Sequence, residues 1–269
     1  MYQTIGFIGT GNMGAAVARA AAKSGLAERI LLSNRTPAKA AALAEELPGA
    51  KLSTNEEIAR EAQLIFLGVK PQMMAPVLDP LGYILHKRED RFVLATMAAG
   101  LTCGRIRDMV DMDCPVIRMM PNTPAAIGAG VVQYCGQGVA VDELDAFAAL
   151  LAPAGLVDSV PEGLIDAASA VSGCGPAFAC MFLEALADGG VACGLPRDKA
   201  LAYAAQMLAG SARLALEGGR HPGALKDAVC SPGGTTIQGV RVLEERGFRA
   251  AAMDAVIAAY EKTVRMGKR

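Results

Sequence analysis

Thr4-Ile5-Gly6-Phe7-Ile8-Gly9-Thr10-Gly11-Asn12-Met13-Gly14-Ala15-Ala16-Val17-Ala18 is the stretch on which the fold turns. Thr4 to Ile8 is mostly apolar and of buried-strand length, and an alanine-rich run of strong helix formers starts near Asn12. Between them glycines stand at 9, 11 and 14, the G-x-G-x-x-G spacing, in the strand-then-helix context that gives the spacing meaning. A glycine at 9 permits a tight turn, one at 11 lets the backbone approach a pyrophosphate, and one at 14 lets the helix pack closely on the strand. The helix start then points unpaired N–H groups, and the positive end of its dipole, at an anion. Gly9 and Gly11, with the N–H groups of the helix start, therefore form a candidate phosphate site.

Outward from this turn, short apolar runs alternate with amphipathic stretches as far as about residue 160, the order of successive βαβ units feeding a parallel sheet. Strands are expected at Thr4–Ile8, Arg29–Leu32, Leu64–Leu67, Phe92–Ala95, Val116–Arg118 and Val131–Tyr134, with helices in the gaps. One such helix is Pro37–Glu46, which follows Thr36 as N-cap and starts on proline. Beyond about residue 160 the strand signal stops and helices are expected at Pro176–Val191, Pro196–Leu216, Thr235–Glu245 and Arg249–Val264. In the second of these Leu201, Ala205, Leu208, Ala212 and Leu216 mark one buried stripe. In the first, Phe178, Met181, Phe182, Ala185 and Leu186 span much of the circumference, more apolar surface than one helical layer covers, so a second subunit is expected there. The fold class is α/β with an all-helical C-terminal extension, and the boundary falls near Pro161 to Gly163, giving domains 1–161 and 162–269.

Composition narrows the function classes. The chain has 269 residues, and 26 Lys+Arg against 27 Asp+Glu give a net charge of -1, so nothing electrostatic recruits nucleic acid or an anionic membrane. Apolar residues make up 52%, but Gly, Pro or a charge interrupts each run before the roughly 18 residues of a spanning helix, so a soluble protein is expected. Met1 to Ile8 lacks the basic lead of a secretory signal. Seven cysteines without a C-x-x-C pair, and only two histidines, indicate neither a disulfide framework nor a zinc site, so no metal is expected and a reducing cytoplasm fits best.

The end of the second strand bears on the cofactor. A dinucleotide without a ribose phosphate usually meets an Asp or Glu there, but this chain offers Ser33-Asn34-Arg35. A guanidinium with hydroxyl and amide neighbours suits a 2'-phosphate, which favours NADPH over NADH. Three further motifs follow strands at the same expected edge: Val69-Lys70-Pro71-Gln72, Met97-Ala98-Ala99-Gly100, and Arg118-Met119-Met120-Pro121-Asn122-Thr123-Pro124. The helical half adds Ser172-Gly173-Cys174-Gly175-Pro176-Ala177-Phe178 and Asp227-Ala228-Val229-Cys230-Ser231-Pro232-Gly233-Gly234-Thr235-Thr236.

With these motifs in this order the whole chain resembles the pyrroline-5-carboxylate reductase family, most specifically at the S-P-G-G-T-T segment. Cys174 and Phe178 stand where many members carry Ser and Tyr. The resemblance implies an N-terminal Rossmann domain, a C-terminal helical domain that interleaves with a partner subunit, and in some members larger rings of dimers. It implies reduction of 1-pyrroline-5-carboxylate to proline with NADPH or NADH. By the same resemblance Thr236 hydrogen-bonds the ring nitrogen, Ser231, Gly234 and Thr235 line the carboxylate side, and Val229 packs against the ring. Cofactor contacts implied in the same way are Gly9, Thr10, Gly11, Asn12, Met13, Ser33, Asn34, Arg35, Asn55, Val69, Lys70, Pro71, Ala98, Ala99 and Asn122. Lys70 reads either as a proton donor or, more naturally at a strand end beside a dinucleotide, as a donor to ribose or phosphate oxygens.

Overall fold

The first strand runs Tyr2–Ile8 (β1) and hands over at the glycine turn to a helix at Asn12–Ser24 (α1). In this computed structural model, which describes residues 1–267, the alternation continues through Ala27–Ser33 (β2), Pro37–Glu46 (α2), Ala50–Leu52 (β3), Asn55–Glu61 (α3), Leu64–Leu67 (β4) and Met74–His86 (α4). Val93–Thr96 (β5), Cys103–Val110 (α5), Val116–Pro121 (β6), Gly130–Gln137 (β7), Val141–Leu151 (α6) and Gly155–Ser159 (β8) follow. The sheet order is β3-β2-β1-β4-β5-β6-β7-β8. Every neighbouring pair is parallel except β6 with β7. The first six strands thus have the doubly wound order, which reverses direction between β1 and β4, the switch point where such sheets bind ligands.

β4, β5 and β6 are buried along their whole length, as parallel strands covered by helices on both faces must be. On one face Phe7 stacks on Phe66 at 4.4 Å between centroids, and Phe147 of α6 adds to the cluster. Burial of each such ring contributes about 1.5–3 kcal/mol. Leu78 and Leu81 of α4 and Ile106 of α5 cover the other face. The six strands expected from sequence are all present. β3 and β8 were not among them, because β3 is three residues long and β8 is largely exposed at the sheet edge, so neither carries a run of apolar residues.

Glu162–Ser172 (α7), Gly175–Ala192 (α8), Arg197–Gly218 (α9), Pro222–Ala228 (α10), Thr235–Glu245 (α11) and Phe248–Gly267 (α12) complete the described chain. By contact there are two compact units, Met1–Cys174 with the chain from Ala259, and Gly175–Ala258. The boundary expected near 161 coincides with the start of α7, whereas contacts group α7 with the sheet. The reason is polar: Glu162 accepts the Cys103 N–H, Asp166 pairs with Arg118, and the Ser172 hydroxyl accepts from Gln133 Nε2.

Within the second unit α8 and α9 meet through small side chains: a Cβ on Gly190 would sit 3.3 Å from that of Ala200, and Ala187, Ala200 and Ala204 are the buried apolar residues there. This corrects the expected stripe. Leu201 is 39% and Leu216 81% exposed, so the leucine face of α9 is not buried within one chain. Met181 and Tyr203 are likewise exposed. The segment Glu162–Ala192 is also long and apolar enough by composition to cross a membrane, which the interruptions by Gly and charge had been expected to prevent. Its apolarity and that of α9 have one economical cause, namely surface left over for a second chain.

Candidate active site

Because β1, β2, β4, β5 and β6 run parallel, their carboxyl ends share one edge, and that edge collects Gly9–Met13, Ser33–Arg35, Val69–Pro71, Ala98, Ala99 and Asn122. Gly9 N–H donates to the Ser33 carbonyl (2.8 Å), and Gly68 N–H donates to that of Ile8 (2.8 Å), so the turn after β1 is held between those after β2 and β4. Gly9 has φ +98°. A Cβ on Gly14 would lie 2.1 Å from the Gly9 carbonyl oxygen, and one on Gly68 2.2 Å from the same atom. Gly68 was not singled out in the sequence, although a glycine directly after a strand facing the G-x-G turn was the available signal.

Gly11 differs from all three. Its φ of -68° and ψ of -173° suit any residue, and a Cβ there would meet nothing within 4 Å. Neither backbone conformation nor packing asks for glycine at 11, so the chain there is open to close approach by a ligand. Beside it the Thr10 hydroxyl is buried without a partner among the described residues, and no side chain caps the start of α1. A buried orphan hydroxyl at an uncapped helix start is the donor set that a phosphate satisfies.

At the neighbouring turn Ser33 is buried, and its hydroxyl donates to Asn55 Oδ1 at 2.6 Å, so the structure brings Asn55 beside Ser33. Asn34 Nδ2 donates to the Thr36 carbonyl (3.1 Å). Arg35 is exposed and has no ion pair among the described residues, so its guanidinium is free for a phosphate. Lys70 is exposed at the end of β4, with Val69 and Pro71 half-buried around it, and Ala98 is buried beside half-buried Ala99. Asn122 is engaged at both ends of its amide: Nδ2 donates to the Ser172 carbonyl and Oδ1 accepts from Val131 N–H, each at 2.9 Å. Its side chain clamps α7 to the end of β6.

In the second unit α10 ends just before Val229, which is 64% exposed. His221 caps that helix by accepting Gly223 N–H at Nδ1 (3.1 Å). Lys226 and Asp227 pair at 2.6 Å, and this lysine holds the Asp227 carboxyl below its ordinary range. Gly233 turns at φ +68°, and Gly234 N–H donates to the Ser231 carbonyl (3.0 Å). A Cβ on Gly234 would lie 2.4 Å from Ser231 Oγ, so glycine leaves room for the Ser231 hydroxyl to fold back on the turn. α11 then starts at Thr235 without a side-chain cap, and Ser231, Thr235 and Thr236 are exposed around its first turn. Free N–H groups and three hydroxyls at a positive helix end can hold a carboxylate without a cation.

Comparison with known proteins bears on both units. Residues 162–266 match the family model described as pyrroline-5-carboxylate reductase dimerisation, and residues 4–99 match one described as NADP oxidoreductase, coenzyme F420-dependent. The pyrroline-5-carboxylate reductase of Escherichia coli (strain K12) is 40% identical over 275 residues, covering 100% of both chains. The chain belongs to the pyrroline-5-carboxylate reductase family. Among solved structures of the family, the Plasmodium falciparum enzyme with NADP bound superposes with a TM-score of 0.86 at 31% identity, covering 98% of each chain. The Coxiella burnetii member superposes at 0.88 with 30% identity, again over 98% of each. Family membership gives the exposed Met181 of α8 and the leucine face of α9 their context, since the segment that leaves them exposed is the one matching the dimerisation model.

Proposed function

We propose that this chain reduces 1-pyrroline-5-carboxylate to L-proline, the last step of proline biosynthesis, with NADPH as preferred hydride donor and NADH as the alternative. The likeness that carries this reading spans both units, at 40% identity to an enzyme of that name over the full chain. Residues 1–161 serve as cofactor domain and 162–269 as helical dimerisation and substrate domain. The protein works in the cytoplasm as a homodimer through its helices, which assembles further into rings of dimers, and neither nucleic acid nor membrane is a partner.

Reduction of a cyclic imine needs a hydride at carbon and a proton on nitrogen. When bound, the reduced nicotinamide supplies the hydride. The imine nitrogen is basic enough to arrive protonated near neutral pH, so the protein needs no strong acid and supplies orientation instead. The turn Gly9 to Met13 holds the pyrophosphate on the N–H groups of α1, and Ser33, Asn34 and Arg35 hold the 2'-phosphate. Asn55, through Ser33, borders the adenosine, while Val69, Lys70, Pro71, Ala98, Ala99 and Asn122 border ribose and nicotinamide. Thr236 hydrogen-bonds the ring nitrogen, Ser231, Gly234 and Thr235 take the carboxylate, and Val229 packs on the ring. The test is direct: purified protein mixed with NADPH should oxidise it only when pyrroline-5-carboxylate is added, and release proline in equal amount. NADPH left unconsumed in that assay refutes the assignment.

A further inference from the structure

Three metal-ligating side chains outside the reductase machinery meet inside the first unit. Cys103 is the first residue of α5, Cys135 lies on β7, and Glu162 is the first residue of α7. Their two sulfurs and a carboxylate oxygen all lie within 4.8 Å of one another. Cys103 is fully buried, Cys135 is 9% exposed and Glu162 is half-buried. The carboxylate is already oriented, because Oε1 accepts Cys103 N–H at 2.7 Å, which leaves Oε2 without that tie. Hydrogen bonding of the outer atom of a ligand is the device by which proteins aim a metal-binding group. Cys135 lies opposite Arg118 in the β6–β7 register, but Arg118 is ion-paired with Asp166, so this neighbouring positive charge has its own counter-ion.

The donor set decides the class of ion. Calcium and magnesium take oxygen ligands, whereas two thiolates with a carboxylate suit a borderline-soft ion such as Zn2+. Zinc bonds of roughly 2.3 Å to sulfur and 2.1 Å to oxygen keep tetrahedral ligand atoms about 3.5–3.8 Å apart, so closure on an ion asks shifts of about an ångström or less. We infer that Cys103, Cys135 and Glu162 form a binding site for one thiophilic divalent cation of the Zn2+ class, with water in the fourth position on the half-buried Glu162 side. Binding forms two metal–sulfur bonds and one metal–oxygen bond, and the two thiol protons leave to solvent. The ion ties the starts of α5 and α7 to β7. This goes against the expectation of no metal, which rested on the lack of closely spaced cysteines; here the ligands come from three distant elements.

The experiment titrates Co2+, as a visible substitute, into chelator-treated full-length protein kept reduced. We expect about one Co2+ per chain, with a thiolate-to-metal charge-transfer band and visible absorption of tetrahedral strength. The Cys103→Ala, Cys135→Ala double variant should lose this signal. Glu162→Gln retains an acceptor for Cys103 N–H but should bind about tenfold more weakly or worse. Zn2+ should raise Tm in the wild type and not in the double variant. Reductase turnover should be equal in both, which separates failure of this site from failure of the reductase reading. Equal Co2+ binding by wild type and double variant overturns the inference, because the ion would then sit on the other cysteines. So does reduced-buffer protein that binds no Co2+, or non-reduced protein isolated two hydrogens lighter with Cys103 and Cys135 joined, which would make the pair a redox couple.

Discussion

Gly11→Ala is the sharpest probe of the cofactor turn, because the structure separates its two effects. The backbone at 11 already has dihedrals open to alanine, and the added methyl meets nothing within 4 Å. Stability should therefore stay within about 1 kcal/mol: about 0.5–1 is lost at the N-cap, and about 0.4–1 is gained from a stiffer unfolded chain. At roughly 2–4 °C per kcal/mol the Tm moves by no more than about 4 °C. A phosphate that accepts backbone N–H bonds must bring its oxygens to about 2.9 Å from nitrogen, which is where the methyl intrudes. Such an overfilled contact costs about 1–3 kcal/mol, or roughly 5- to 150-fold in NADPH Kd. Gly14→Ala is the contrasting control: its Cβ would lie 2.1 Å from a backbone oxygen, so stability should fall by about 3 kcal/mol and Tm by about 6–12 °C. Binding is read from NADPH fluorescence, which suits a chain with no tryptophan, and stability from thermal melts. Wild-type NADPH affinity in Gly11→Ala, or a loss of Tm as large as that of Gly14→Ala, would refute the assignment of residue 11 to ligand approach.

The other expectations concern separate parts of the molecule. Thr236→Ala should lower kcat/KM for pyrroline-5-carboxylate by about 1–3 kcal/mol while NADPH Kd stays put; unchanged steady-state kinetics would remove Thr236 from the reaction. Arg35→Ala should weaken NADPH by about 1.5–3 kcal/mol and leave NADH nearly untouched, and equal losses would contradict the 2'-phosphate role. Asp166→Asn strips the counter-ion from Arg118, which is 1% exposed, and should cost about 3 kcal/mol in urea unfolding at constant m. Glu143 accepts from Arg91 and from Ala140 N–H, and the Arg91 guanidinium in particular holds its carboxyl below the ordinary value. A depressed folded pKa gives stability that is complete above the unfolded value of about 4.3 and fades as pH falls through the folded one. Wild type should thus exceed Glu143→Gln in urea midpoint at neutral pH and converge with it in strong acid; a gap that widens on acidification would reverse the sign.

The sheet was legible because buried parallel strands read as short apolar runs and glycine punctuates them. Pro37–Glu46 and Thr235–Glu245 coincide with observed helices to the residue, since proline, glycine and hydroxyl residues mark their ends. The glycine turn after β1 was legible for the same local reason. α7 and α10 carried no comparable mark, α10 being seven residues long and capped by a histidine, an unusual cap. The stripe on α9 shows the limit of periodicity. It identified an apolar face correctly, but not which chain covers it, because a repeat of 3.6 is the same for a face buried at home and one kept for a partner.

What the sequence determined by itself is what depends on neighbours along the chain: six of the eight strands and their order, the glycine turn after β1, the hydroxyl loop before α11 and, through its motifs, the family. Only the tertiary structure could show that Gly11 faces open space while Gly9, Gly14 and Gly68 interlock, or that Asn122 spends its amide on Ser172 and Val131. It alone brings Arg118 to Asp166, and Cys103 and Cys135 to Glu162. The physical reason is that these depend on which side chains meet across a sheet face, and a contact between residues dozens of positions apart leaves no periodicity or spacing along the chain.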